Sequence, residues 1–223
     1  MLAAEREGEK VMQMNRALVL IFVVLLVAAG VAGGALLRPV ILPPPAPVVQ
    51  AAPRPVAAFT FTNQNGEAVT AETYRGRWML VFFGFTMCPD VCPLSLSYVG
   101  DFLKALGPLA SRVQAAFVTV DPERDTVPVM KAYLANFDPS IVGLTGSSDQ
   151  LAAAAKLFGV SYSERLTGTE RPDGGPDYTM DHSTAFYLVD PEGHILRAFA
   201  LDRDAPEDMT AEIRAVMAAK EKP

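Results

Sequence analysis

The chain has 223 residues, of which 50% are hydrophobic, and its formal net charge at pH 7 is −6, from 19 Lys and Arg against 25 Asp and Glu. The residues from Val56 onward are more acidic still. This balance excludes nucleic acid as a partner, because affinity for nucleic acid comes mainly from neutralised phosphates. With only two cysteines, the chain cannot complete a cysteine-ligated iron–sulfur cluster or an ordinary structural zinc site.

An uncharged stretch at residues 17–37 dominates the N-terminal part of the chain. This stretch is long enough to span a bilayer as a helix. Arg6, Lys10 and Arg16 precede it, and the positive-inside tendency therefore places residues 1–16 in the cytoplasm. We predict a single transmembrane anchor.

A cleaved signal peptide is the alternative, because small residues crowd the end of this stretch. The apolar region of a signal peptide is usually about 7–15 residues, which is shorter than the run seen here. Glu5, Glu7 and Glu9 do not fit an acid-poor mitochondrial presequence. With either an anchor or a signal the remainder is exported. We expect a single-pass protein of the bacterial inner membrane with its C-terminal domain in the periplasm.

Residues 38–55 form a proline-rich linker with seven prolines. Proline favours the extended polyproline conformation, at about 3.1 Å per residue, so the linker could hold a domain up to roughly 50 Å from the membrane. A disordered spacer of no fixed reach is the alternative. Both predict a tethered domain at residues 56–223.

Residues 56–223 have the pattern of one α/β domain. Predicted strands lie at residues 59–62, 78–85, 115–120, 141–144, 184–189 and 195–199, and predicted helices at residues 93–106, 126–137, 148–158 and 206–219. A polar, glycine-rich stretch at residues 164–179 is predicted to be a long functional loop. Strands and helices alternate first and a hairpin follows, which indicates a thioredoxin-like fold whose mixed sheet is flanked by helices.

The two cysteines lie between the first long predicted strand and the first predicted helix. Cys88 and Cys92 are four residues apart, which on a helix places their Cβ atoms about 5–6 Å from each other. On the helix or in the turn before it, the pair permits a disulfide or a shared metal. A nearby helix N-terminus favours the thiolate form. A purely structural disulfide remains an alternative, although so short a loop removes little entropy from the unfolded chain.

The chain has only two histidines. His194 follows the predicted hairpin turn at residues 190–193, and we expect it to be a solvated surface residue. His182 ends the predicted loop and begins a strand. Functional crevices in such sheets lie at the carboxyl ends of the strands, so this loop could bring His182 to Cys88 and Cys92. Two thiolates and one imidazole suit Cu(I), and with one further ligand Cu(II).

Two acidic residues and two methionines accompany these candidates. Asp121 and Asp125 follow the predicted strand at residues 115–120, where their carboxylates could orient a ligand. Ordinary N-capping of the next helix by Asp125 or Thr126 is the alternative. Met87 and Met180 flank the candidate ligands, and a thioether could supplement copper binding, although methionine more often serves in packing.

Three segments of the chain together resemble the SCO/SenC family: residues 82–93 (FFGFTMCPDVCP), residues 120–126 (VDPERDT) and residues 181–183 (DHS). Members of this family are membrane-anchored, thioredoxin-like copper proteins that assist the assembly of cytochrome c oxidase. The resemblance covers essentially the whole exported domain. It implies copper ligation by Cys88, Cys92 and His182, with supporting acidic residues at Asp121 and Asp125.

The resemblance predicts a copper chaperone that binds one copper, as Cu(I), Cu(II) or both, and delivers it to the dinuclear copper site of cytochrome c oxidase subunit II. The alternative is a thiol-disulfide oxidoreductase, with Cys88 and Cys92 as a redox-active pair that reduces the cysteines of that site or of another envelope protein. Other periplasmic copper chaperones or thiol reductants are expected as further partners. A thiol peroxidase is disfavoured because Phe82 stands where that family carries a proline.

Overall fold

The computed structural model describes residues 53–56, 58–171, 175–201 and 204–220. The predicted cytoplasmic segment, the predicted anchor at residues 17–37 and most of the predicted linker lie outside these residues. The described residues all belong to one compact unit, delimited as Gln50–Pro223. No helix among them combines the length and the apolar character needed to cross a bilayer.

Ten strands and four α-helices build the described part of the domain. The strands are β1 (Arg54–Pro55), β2 (Thr60–Asn63), β3 (Ala68–Thr70), β4 (Trp78–Gly84), β5 (Val113–Thr119), β6 (Val142–Thr145), β7 (Tyr162–Glu170), β8 (Pro176–His182), β9 (Ala185–Val189) and β10 (His194–Ala200). The helices are α1 (Val91–Leu106), α2 (Val127–Leu134), α3 (Ser148–Phe158) and α4 (Pro206–Lys220). Short 3-10 helices occupy Ala71–Tyr74 and Gly107–Arg112.

Eight strands form one sheet in the order β1-β10-β9-β4-β5-β6-β2-β3. Strands β4, β5 and β6 run parallel, whereas β9 and β10 add an antiparallel hairpin beside β4. Every residue of β4 is buried, as expected of a strand near the middle of a sheet covered on both faces. The predicted mixed, thioredoxin-like sheet is therefore confirmed.

Local signals explain several of the element ends. Helix α3 begins with a capping box in which Ser147 and Gln150 satisfy each other's backbone N–H groups, and it ends at Gly159, whose φ of 75° lies in the left-handed region. Helix α2 begins after Thr126, as predicted, but stops at Leu134. The predicted extension of α2 to Phe137 is wrong, because the backbone N–H of Phe137 closes a turn onto the carbonyl of Leu134 instead.

The prediction of a long loop at residues 164–179 is also wrong. Strands β7 and β8 pair there as an antiparallel two-stranded sheet, separate from the main sheet, with Tyr162 opposite His182 and Glu170 opposite Pro176. Nearly all of β7 is exposed, so the strand lacks the apolar alternation by which a half-buried strand is recognised. Polar composition indicated a loop, whereas backbone pairing makes a hairpin.

The start of the domain is pinned at one edge of the sheet. Arg54 and Pro55, which the sequence assigns to the linker, pair with Ile195 and His194 of β10. The next backbone N–H, that of Val56, donates to the carbonyl of Gly193 at 2.7 Å. The sheet thus extends two residues upstream of Val56.

Candidate metal centre

The turn between β4 and α1 carries both cysteines. The backbone N–H of Cys88 donates to the carbonyl of Phe85 at 3.3 Å, which closes this turn, and α1 begins at Val91. Cys88 therefore lies in the turn and is half-buried, whereas Cys92 lies in the first turn of the helix and is 0% exposed. Both thiols are free, and the backbone N–H of Cys92 donates to Cys88 Sγ at 3.4 Å.

Asp125 holds the cysteine turn in place through hydrogen bonds to its carboxylate. Its carboxylate accepts the backbone N–H of Thr86 at 3.0 Å and the Thr86 hydroxyl at 2.5 Å. It also accepts the Thr119 hydroxyl at 2.6 Å. Asp125 is 0% exposed, and this burial raises its pKa above the ordinary range. Because all these partners lie outside α2, and the helix has no side-chain cap hydrogen bond, Asp125 holds the cysteine turn rather than capping the helix.

His182 reaches the cysteines from the end of β8. Its Nε2 lies 3.7 Å from Cys92 Sγ, and its Nδ1 lies 3.0 Å from the carbonyl oxygen of Ser183. A carbonyl oxygen can only accept, so Nδ1 carries the proton and donates. The lone pair of the neutral ring is therefore on Nε2, which is the atom that faces the thiols.

Two aromatic rings hold the imidazole in place. Phe82 and Phe85 both meet the His182 ring edge to face, with centroids 6.3 and 5.8 Å away. Such contacts restrict the rotation of the ring. The imidazole is thus oriented by packing on its sides and by a hydrogen bond at its far nitrogen.

Asp121 acts on the hairpin that carries His182. Its carboxylate accepts the Tyr178 hydroxyl at 2.9 Å and is paired with the Arg124 guanidinium. Arg124 also donates to the Tyr178 carbonyl at 2.7 Å, and its guanidinium lies 3.7 Å from the centroid of the Tyr178 ring. Asp121 and Asp125 therefore brace the two segments that meet at the candidate site. Arg124 and Tyr178 gave no sequence signal, because their role depends on a contact across more than fifty positions.

Gly84 lets the cysteine approach the sheet. A Cβ atom placed on this residue would lie 2.7 Å from Cys92 Sγ and 2.7 Å from Cε2 of Phe117. Those distances are far below van der Waals contact, so only glycine leaves space for the sulfur. Sequence reasoning missed Gly84, although a lone glycine inside a buried strand is a signal for close approach.

The two thiols differ in their electrostatics. A hydrogen bond from the Cys92 thiol is the main cause that lowers the pKa of Cys88, helped by the backbone N–H groups of Asp90 and Cys92. That same bond and the burial of Cys92 raise the pKa of Cys92. The pair is therefore arranged as a half-exposed thiolate beside a buried thiol that donates to it.

The three donors are close enough to share one ion. One ligand atom each from Cys88, Cys92 and His182 lies within 4.8 Å of the other two. Three atoms spread evenly around one ion at about 2.3 Å are about 4.0 Å apart, so a shift of at most about half an ångström by each atom brings them together. The donor set, two sulfurs and one nitrogen, is soft, and it fits copper.

His194 belongs to a different cluster. Its Nδ1 lies 3.3 Å from the Asp190 carboxylate, and its side chain is 40% exposed, so it is half-buried and partnered rather than free in solvent. The Lys220 ammonium lies 2.5 Å from both Asp190 and Glu192. Because this ammonium already supplies the cation, the cluster is an ion-pair network that ties the end of α4 to the β9–β10 turn.

The fold and the site define a class of protein: a thioredoxin-like domain that presents two free thiols and one oriented imidazole at the carboxyl end of its sheet. The model of the SCO1/SenC family matches residues 49–218, and the chain belongs to this family. The chain is 38% identical over 151 residues to an SCO2-like protein of Rickettsia felis, covering 68% of this chain and 72% of that protein.

Solved structures agree with this assignment. ScoI of Bradyrhizobium japonicum with copper bound superposes with a TM-score of 0.62 at 42% identity, covering 71% of this chain and 97% of that one. BsSco, described as a member of the Sco family of cytochrome c oxidase assembly proteins with a disulfide switch, superposes with a TM-score of 0.57 at 28% identity. That match covers 74% of this chain and 95% of BsSco.

Proposed function

We propose that the chain is a copper chaperone that binds one copper through Cys88, Cys92 and His182. In this proposal it delivers the metal to the dinuclear copper site of cytochrome c oxidase subunit II during assembly. The observation that carries the proposal is the meeting of two free thiols and a correctly oriented imidazole nitrogen within 4.8 Å. The relatives support it, since ScoI of Bradyrhizobium japonicum was solved with copper bound and BsSco is described as belonging to an oxidase assembly family.

Each residue of the site has a part in binding the metal. Cys88, already biased toward thiolate, is a half-exposed ligand that an incoming ion meets before the buried Cys92. Cys92 must lose its proton to bind, because thiolates and not thiols are the ligands. In the tautomer of the neutral His182 ring that Ser183 selects, the Nε2 lone pair faces the thiols and can bind the ion. The bound copper is cargo, a soft cation that thiolate and imidazole hold.

The setting is part of the proposal. Residues 17–37 would anchor the chain in the bacterial inner membrane, and residues 38–55 would let the domain reach a partner in the periplasm. Other periplasmic copper chaperones would supply the metal, and thiol reductants would keep Cys88 and Cys92 reduced. The uncharged run and the prolines of the sequence support this arrangement.

A thiol-disulfide oxidoreductase is the second candidate, favoured by the asymmetry of the two thiols. A half-exposed thiolate at Cys88 is suited to attack a disulfide, and the buried Cys92 to resolve the mixed disulfide that forms. In each cycle the dithiol of this chain would be oxidised to a disulfide while the partner's disulfide gains two electrons and two protons. Exchange of this kind does not require His182.

Replacing each histidine in turn distinguishes the copper chaperone from the thiol-disulfide oxidoreductase. The reduced full chain is titrated anaerobically with Cu(I), and separately with Cu(II) while the thiolate-to-copper absorption is recorded. We expect one copper per chain for the wild type. His182→Ala should weaken Cu(II) binding by more than about 100-fold, or about 2.7 kcal/mol, and leave disulfide exchange largely intact. His194→Ala is the matched control, and both activities should survive in it.

Two results would overturn the chaperone proposal. The three-ligand site is wrong if His182→Ala keeps the wild-type Cu(II) affinity and spectrum. If the wild type binds no copper above background but reduces a disulfide substrate, thiol exchange is the function. Transfer of copper from the loaded chain to the metal-free copper domain of oxidase subunit II then tests delivery.

A further inference from the structure

The two methionines beside the candidate ligands have opposite environments. Met180 is 7% exposed and is packed in the core of the domain. Met87 is 61% exposed, although it directly precedes Cys88. Packing therefore explains Met180 and does not explain Met87.

The backbone of the turn directs Met87 outward. Thr86 is held to the buried Asp125 by its N–H and its hydroxyl. Cys88 is held to the Phe85 carbonyl by its N–H. With both neighbours fixed, the Met87 side chain remains on the solvent side of the turn, one residue before the half-buried Cys88.

Covalent geometry allows the Met87 thioether to approach the sulfur of Cys88. Consecutive Cα atoms are about 3.8 Å apart, and a methionine side chain has three rotatable bonds. The thioether can therefore swing over Cys88 Sγ while the backbone stays in place. A thioether is a neutral, soft ligand that selects Cu(I) and needs no deprotonation.

The site itself has an outer and an inner part. Cys88 and His182 are half-buried, whereas Cys92 is 0% exposed and lies against the sheet beside Gly84. His182 Nε2 points toward Cys92. Met87, at 61%, is more exposed than any of the three ligands, so an ion that comes from a partner meets its thioether and the adjacent Cys88 before it can bind Cys92.

We propose that the Met87 thioether and Cys88 Sγ form a transient two-sulfur site at the surface, which holds Cu(I) during exchange with a partner. The ion then moves by ligand replacement: the bond to Met87 breaks as bonds to Cys92 and His182 form. The Cys92 proton goes to solvent and copper stays Cu(I), so no electron moves. This inference rests on the proposed function.

Exposed apolar neighbours suggest another role for Met87. Val91 is 37% exposed and Leu94 is 68% exposed. Met87 could therefore be one part of an exposed apolar rim and have no role in metal binding. Met87→Leu distinguishes the two roles, because leucine keeps the apolar surface and removes the sulfur. Leu94→Ala is the matched control, since it reduces the rim and keeps the sulfur. Both positions are exposed, so neither substitution threatens folding.

The first test measures uptake of Cu(I) from a Cu(I)–glutathione complex by the reduced full chain. Met87→Leu should slow uptake by about tenfold, which corresponds to about 1.4 kcal/mol in the barrier, and Leu94→Ala should load at the wild-type rate. Because the donor is small, loss of a protein docking surface would not slow it. Equal rates for the wild type and Met87→Leu would overturn the inference.

The second test observes the thioether directly in a chain that lacks Cys92 and His182. Cys92→Ser combined with His182→Ala leaves Met87 and Cys88 as the outer pair, and Ag(I) serves as a redox-inert probe for Cu(I). With methionine labelled by ¹³C at the ε-methyl group, Ag(I) should shift the Met87 signal and leave that of Met180 in place. A Met87 signal that does not move would overturn the inference. If the wild type binds no Cu(I), the proposed function fails and this inference with it, whereas normal binding with unchanged uptake in Met87→Leu removes this inference alone.

Discussion

Replacement of Gly84 by alanine tests how closely the buried cysteine approaches the sheet. The new methyl group would lie 2.7 Å from Cys92 Sγ and 2.7 Å from a carbon of Phe117, whereas ordinary contact begins near 3.4 Å. Cys92 and Phe117 are both 0% exposed, so neither can move into solvent. Overpacking of a dense core costs about 1–3 kcal/mol. The entropy that alanine removes from the unfolded chain offsets only about 0.4–1 kcal/mol of this.

The same substitution should also affect the metal site. Relief of the clash requires Cys92 Sγ to shift from its position 3.7 Å from His182 Nε2, and ligands held out of position bind metal less tightly. We therefore expect Gly84→Ala to lower both the free energy of unfolding, by about 1–2 kcal/mol, and the affinity for Cu(I). The two measurements are urea unfolding of the reduced chain and a competition titration with a Cu(I) chelator.

Gly100 provides the matched control for Gly84. It lies in α1, the helix that carries Cys92, and a Cβ atom there would meet its nearest neighbour, Asp138 Cβ, at an ordinary 3.6 Å. Gly100→Ala should therefore stabilise the chain by about 0.4–1 kcal/mol and leave copper binding unchanged. If Gly84→Ala proves as stable as Gly100→Ala and binds Cu(I) like the wild type, Cys92 does not approach Gly84 as closely as described.

Two further predictions concern the turn and its thiols. Asp125→Ala should cost about 3 kcal/mol, because it leaves the buried donors of Thr86 and Thr119 without an acceptor, and Asp125→Asn should cost less since the amide keeps an acceptor oxygen. Burial raises the Asp125 pKa, so the free energy of unfolding of the wild type should fall as pH rises through that raised value, whereas that of Asp125→Asn should not. Urea unfolding between pH 4 and 8 (about the range of native stability) measures both free energies. Parallel pH dependences for the wild type and Asp125→Asn would contradict this prediction. The lowered pKa of Cys88 predicts that its alkylation by iodoacetamide slows by less than about twofold from pH 8 to pH 6, where an ordinary thiol slows roughly 70-fold. Mass spectrometry should find the label on Cys88 and not on Cys92, and a steep pH dependence would show that Cys88 is an ordinary thiol.

The pattern of the sequence predicts most of the fold because each buried element carries its own signal. The apolar run of β4 and the helical spacing of α1, α3 and α4 are local properties, readable without knowledge of any neighbour. The β7–β8 hairpin was not predicted because β7 carries no such local signal. Strand β7 is covered on neither face along most of its length, so no apolar period marks it, and only the pairing of its backbone with β8 makes the two a sheet.

The candidate ligands were predictable because soft donors are scarce in this chain. With two cysteines and two histidines, the candidates could be listed in full, and the strand ends indicated which histidine lies nearer. Their supports were not predictable. Arg124 and Tyr178 act across 54 positions, and Asp125 reaches Thr86 across 39, so these contacts exist only once the strands are side by side.

The sequence by itself thus determined the type of fold, the scarce soft donors and the family they indicate, because these follow from local periodicity and composition. Only the tertiary structure decided that Cys88 lies in the turn and Cys92 in the helix, which makes one thiol half-exposed and the other buried. It also decided that the Ser183 carbonyl frees Nε2 of His182 and that Met87 faces solvent while Met180 does not. Burial, tautomer and distance are properties of what surrounds a residue, and a chain acquires those surroundings only when it folds.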